Sequence, residues 1–173
     1  MNDARNILFG LSPDAVESVK HAANFVNSHP GAEVTMVGHS KGGFEAILNA
    51  LITNTNCITF NALWPFSPMS LLTPVIAYKS LSYTKHMTHY VVEGDPVFVL
   101  NWIFGSNYGN PAWSSVVFLG PQYSPLDIFR NHGMDAVVAS MREYLKPKPT
   151  PTPQYSHPWV PPGAPMPGAI VTW

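Results

Sequence analysis

Cysteine is nearly absent. Cys57 is the single one in 173 residues, which excludes an intrachain disulfide framework and any multi-cysteine zinc or iron–sulfur site. Charge is scarce too: charged residues make up 11%, less than half the usual share of about 25%. Nine Lys and Arg stand against ten Asp and Glu, a formal net charge of -1. That balance lacks the basic field a general nucleic-acid surface needs, so no nucleic-acid partner is expected. No window holds the roughly 20 continuous apolar residues of a membrane-spanning helix, so stable membrane insertion is not expected either. The opening MNDARNILFGLSP has too short an apolar stretch for a secretory signal, and no small-residue cleavage pattern follows. The expectation is therefore a cytoplasmic protein, with secretion still open if a leader was removed.

Apolar residues are plentiful at 46%, and aromatics reach 12%, enough for one folded domain with a real core. Proline is unevenly spread. Nine of the 18 prolines lie in the last 27 residues, from Pro147 onward. The run KPKPTPTPQYSHPWVPPGAPMPG cannot be a helix or a central strand, because proline removes amide donors and fixes φ. The expected organisation is a domain over residues 1–146 and an extended, proline-rich tail over 147–173.

Within the domain, Ser12 is a candidate cap for a helix over residues 13–28. Val16, Val19, Ala23 and Val26 form its apolar stripe, and His29-Pro30-Gly31 ends it. A short β-rich run over 34–37 leads through a tight turn into a second helix striped by Phe44, Ile47, Leu48 and Leu51. Further strands are expected over 57–60, 88–92 and 115–119. An apolar helical segment should follow Pro96, and a last helix should cover 133–144 through Met134, Val137, Val138 and Met141. Short apolar strands alternating with helices indicate α/β architecture with a largely parallel sheet. Residues 64–85 are less regular and read as a lid or excursion.

The strongest local signal is VTMVGHSKGGFEAILNALI. It contains Gly38-His39-Ser40-Lys41-Gly42, the G-x-S-x-G pattern, between a β-rich run and an amphipathic helix. Such a turn lifts a serine hydroxyl above the sheet and aims helix amides at developing negative charge. Gly38 and Gly42 would allow strand and helix to pass closely, and Gly43 would let the helix start against the sheet. An inert serine on a glycine-rich turn is the plain alternative. A phosphate loop fits poorly, since G-x-x-x-x-G-K-[ST] is absent.

VTMVGHSKGG followed by CITFNAL resembles the α/β-hydrolases of the class 3 lipase-like group, with GHSLGG-type elbows and a TFNAP-like segment. Here Lys41 replaces the common leucine and Leu63 the proline. The resemblance covers roughly residues 13–144 and implies a reduced α/β-hydrolase fold: a mostly parallel central sheet flanked by helices. It also implies a serine carboxylic-ester hydrolase of lipase or esterase type, without a cofactor or metal, acting on a small-molecule or lipid ester.

An activated serine needs a base in reach and a carboxylate to orient it. His132, in FRNHGMDAVV, is the candidate base, expected on a loop just before the last helix. A structural histidine is the alternative. Asp95 is the candidate acid: VVEGDPV resembles the acid-bearing segment of the family, and the order Ser40, Asp95, His132 suits this fold. Asp95 also reads as a helix cap before Pro96, a role compatible with the first. Glu93 is a substitute acid, Asp135 a first-turn charge, and His39 a packing residue rather than the base. His86 and His89 would bind metal only with a third ligand that the sequence does not identify.

For the oxyanion hole, the N–H following the nucleophile, that of Lys41, is one expected donor. The family takes its second donor from an upstream loop. Only 33 residues precede Val34, so that section is expected to be missing or reduced to residues 6–12, with Gly10 as the candidate donor. A minimal hydrolase, a natural remnant and a fragment all fit. Without the upstream strands, a sheet edge would be open to a second copy of the chain. Trp64, Phe66, Phe98, Trp102, Phe104 and Tyr108 offer core and, in part, an acyl pocket. Two other functions fit the same residues: acyl transfer through the same intermediate, and a non-catalytic interaction module on a decayed hydrolase fold. For the latter, the P-x-P spacing of the tail suits an aromatic groove.

Overall fold

A computed structural model describes residues 13–64, 79, 81–103, 112–124 and 127–147. Among them the elements run α1 (Pro13–Ser28), β1 (Thr35–His39), α2 (Ser40–Thr53), β2 (Asn56–Phe60), β3 (Met87–Val92), α3 (Pro96–Ile103), β4 (Ser114–Leu119), α4 (Ile128–His132) and α5 (Met134–Tyr144). The four strands form one sheet in the order β1-β2-β3-β4, every pair parallel. Register is set by pairs such as Val37 with Ile58, Cys57 with Met87, and Val92 with Leu119. This is the expected α/β architecture, a parallel sheet flanked by helices.

Period-2 burial divides β2 and most of β3 between two faces. On one face Cys57, Thr59, Met87, His89 and Val91 are buried. α2 lies there, its Phe44, Ile47, Leu48 and Leu51 all buried in one cluster with Ala15 of α1. Ile47 is fully enclosed; its truncation to alanine would cost about 2–5 kcal/mol. On the other face α5 sets Val137 against Val92 and Leu119. That cover does not reach the far edge of the sheet, where Val37 on β1 is 62% exposed.

Two helical stripes differ from expectation. On α1, Val16 is half exposed and Ala15 takes the inward place, with Val19 packed beside it. On α5, Met134 and Val138 face outward, while Ala136, Val137 and Ser140 are buried. Ser140 can lie inward because its hydroxyl donates to the Gly120 carbonyl at 2.8 Å. The short α4 is an addition to the expected elements. The Ser12 cap, most of the 64–85 excursion and the segment from 148 onward lie outside the described residues. No described helix is long and apolar enough to cross a membrane.

Candidate active site

The carboxyl ends of parallel strands gather the candidate residues. Ser40 follows the last residue of β1, Asp95 comes three residues after the end of β3, and His132 is the last residue of α4 beyond β4. His132 was expected on a loop. It instead closes a five-residue helix, and Gly133 in extended conformation separates it from α5.

Ser40 has φ +54°, a left-handed value that is strained for a residue with a Cβ. The turn around it is held by close packing. A Cβ on Gly38 would lie 2.1 Å from the Gly42 carbonyl oxygen, and one on Gly43 would lie 2.5 Å from Ala62 Cβ. These two glycines let α2 start directly against the strand ends. Gly42 is different: a Cβ there meets nothing within 4 Å, so close passage does not require it. At the helix start, Lys41 Nζ pairs with Asp14 Oδ2 at 2.7 Å and ties α2 to α1. Both groups are well exposed, so the pair adds at most about 1 kcal/mol.

A chain of hydrogen bonds joins the three candidates. Ser40 Oγ lies 2.9 Å from His132 Nε2, and His132 Nδ1 lies 2.5 Å from Asp95 Oδ2. A carboxylate only accepts, so Nδ1 carries the proton and Nε2 is left to accept from the serine hydroxyl. Asp95 is wholly buried, yet both oxygens are used: Oδ1 accepts the Phe98 N–H at 2.9 Å. The capping role and the orienting position therefore coexist. The amino-terminal end of α3 adds a favourable field for the carboxylate. The His132 side chain is 24% exposed, open enough for an external group to reach its ring.

The other titratable candidates stand elsewhere. Glu93 is exposed, and the carboxylate bonded to His132 is that of Asp95. Asp135 accepts the Tyr123 hydroxyl at 3.2 Å. His86 faces Ser115 Oγ at 2.9 Å. His89 lies in the core, with Nδ1 2.7 Å from Thr59 Oγ1 and its ring edge-on to Trp64. Burial, with a smaller contribution from His86, lowers its pKa to about 4. Among the described residues no group of three or more His, Cys, Asp or Glu is arranged to hold a metal. Gly10 lies outside the described residues, as do Phe66, Phe104 and Tyr108 and the side chain of Trp102. Of the remaining aromatics, Trp64 is 2% exposed and belongs to the core, while Phe98 packs edge-on against Phe118. A groove of about 530 Å³ lined by Asn56, Tyr83, Lys85, His86 and Trp113 opens at the amino ends of the strands, the opposite end from Ser40.

Two buried amides support the site and have no counterpart in the sequence expectations. Asn61, with φ +44°, accepts the Val92 N–H at 2.9 Å and donates to the Asn131 carbonyl at 3.1 Å. Asn131 accepts the Tyr123 N–H at 3.1 Å and donates to the Ser124 carbonyl at 3.2 Å. They fasten the end of β2 to β3 and to α4. An asparagine directly after a buried strand, inside the FNAL segment, is the signal that could have marked Asn61. No family model matches the chain, and no curated protein is significantly similar to it. The fold, a parallel sheet flanked by helices, is consistent with the broad α/β-hydrolase-like fold, and it carries a triad-like cluster of Ser40, His132 and Asp95.

Proposed function

We propose that this chain is a serine carboxylic-ester hydrolase of the lipase or esterase type, working through an acyl-enzyme. The observation that carries the reading is the Ser40–His132–Asp95 hydrogen-bond chain, at 2.9 and 2.5 Å, with the serine on a strained strand-to-helix turn. Its parts match the roles of nucleophile, base and orienting acid.

In this reading His132 Nε2 takes the Ser40 proton as Oγ attacks the ester carbonyl. The Asp95 carboxylate stabilises the imidazolium and holds its tautomer. The resulting oxyanion is met by the Lys41 N–H at the start of α2 and by a second donor near Gly10. Collapse breaks the bond to the alkoxy oxygen, which leaves with the proton from His132. Water then enters, gives a proton to His132 and attacks the acyl carbon. Collapse of that second intermediate releases the acid and returns the proton to Ser40. No cofactor takes part. Apolar and aryl esters are the favoured substrates, given the low charge and high aromatic content of the chain. A cytoplasmic location belongs to the same proposal.

The test is turnover of a series of aryl and alkyl esters by the full chain and by Ser40→Ala. Hydrolysis that falls by several orders of magnitude in the variant supports the reading. Equal rates in both proteins overturn it. A folded chain inert to every ester and to serine-reactive phosphonates would instead favour a non-catalytic module.

A further inference from the structure

We infer that His39, the residue before the nucleophile, is a positioning residue for His132 and acts through the main-chain carbonyl of that residue. The inference rests on the ester-hydrolase reading and adds a side chain outside the triad.

His39 Nε2 lies 2.8 Å from the His132 carbonyl oxygen. A carbonyl only accepts, so Nε2 of His39 carries a proton and donates it. The two imidazole rings lie 4.9 Å apart at a 39° tilt. Asn61 Nδ2 reaches the same carbonyl at 3.4 Å, as well as that of Asn131 at 3.1 Å. The carbonyl needs such partners. α4 ends at His132, so no amide four residues further on belongs to the same helix.

Two holds therefore act on one residue. Ser40 and Asp95 bond the ring of His132; His39 and Asn61 bond its main chain. His39 and Ser40 are adjacent, at the end of β1 and the start of α2. The strand end that presents the nucleophile thus also grips the base. One dipeptide contributes to both sides of the 2.9 Å approach of Ser40 Oγ to Nε2, beside the holds from Asp95 and Asn61.

The test compares the full chain with His39→Phe, which keeps a ring and deletes the donor, and His39→Gln, whose amide N–H can reach the same carbonyl. Two readouts are taken: the rate of Ser40 labelling by a fluorophosphonate, and the downfield proton resonance of the His132–Asp95 hydrogen bond. Misplacement by about 1 Å can cost up to about a hundredfold. His39→Phe is therefore expected to label about ten- to a hundredfold more slowly and to broaden or lose the resonance. His39→Gln should recover most of both. His39→Leu replaces the phenylalanine variant if that protein does not fold. Wild-type rate and an unchanged resonance in the donor-less variant overturn the assignment, as does a glutamine variant no better than the phenylalanine one. An unlabelled wild-type chain would refute the hydrolase reading itself, and the proton spectrum still tests His39 in that case.

Discussion

Replacing Asp95 with asparagine changes one atom and confronts the site with a donor–acceptor count it cannot meet while His132 keeps its proton on Nδ1. Asp95 is wholly buried, with Oδ2 facing His132 Nδ1 and Oδ1 facing the Phe98 N–H. Both neighbours donate, and an amide has one accepting oxygen. If that oxygen stays with Phe98, the NH₂ faces Nδ1. The imidazole must then move its proton to Nε2, and Ser40 loses its base. If the amide turns over, the NH₂ meets the Phe98 N–H, two buried donors in opposition. That arrangement costs about 1–3 kcal/mol of stability. We expect the first arrangement, with folding retained and turnover reduced about 10⁴-fold, the scale of lost tautomer control in a triad. This equals roughly 5 kcal/mol of barrier. The assay is ester hydrolysis, with phosphonate labelling beside it and Glu93→Gln and Asp135→Asn as comparisons. Those two side chains are exposed and neither is the carboxylate bonded to His132, so each should change turnover less than about threefold. Near-normal turnover in Asp95→Asn, with a large loss in Glu93→Gln, would refute the reasoning.

Three other expectations follow from separate parts of the molecule. Gly38→Ala places a Cβ 2.1 Å from the Gly42 carbonyl oxygen; the elbow must open, and denaturant melts should show at least about 1–3 kcal/mol of destabilisation together with lost labelling. His89 takes up a proton near pH 6.5 when unfolded but only near about 4 when folded, so the unfolded chain binds more protons in that window. Stability therefore falls as pH drops through it, by about 3 kcal/mol from this residue, and the difference between wild type and His89→Gln in melts from pH 7 to 4 should show that slope flattened in the variant. Removing residues 149–173, a segment without charged residues and rich in proline, should leave the Ser40 labelling rate within tenfold; a larger loss, beyond roughly 1.4 kcal/mol of barrier, would mean that the tail helps build the site.

The legible parts of this chain were those with a local signature. GHSKGG between a β-rich run and an apolar helix marked Ser40, and an acid after a strand with a histidine before the last helix marked Asp95 and His132. The strands could be read because each is short, apolar and β-branched. α4 could not. Five residues hold no helical period, and its largest apolar side chain, Phe129, is 81% exposed. The α5 stripe went astray at Met134 and Val138 because a serine holds an inward place, and hydrophobicity does not report a hydroxyl satisfied by Gly120. His39, Asn61 and Asn131 escaped for a related reason. Their importance lies in bonds to main-chain groups about 70 to 90 residues away in sequence or across a loop, and these exist only once the sheet is assembled.

The central claim is that Ser40 is an activated nucleophile. Its most direct test is mass mapping of the full folded chain after brief treatment with a fluorophosphonate. The account predicts one adduct, on Ser40, formed far more slowly in His132→Gln and on no residue in Ser40→Ala. An adduct on a different serine, or none on a folded chain, would contradict it.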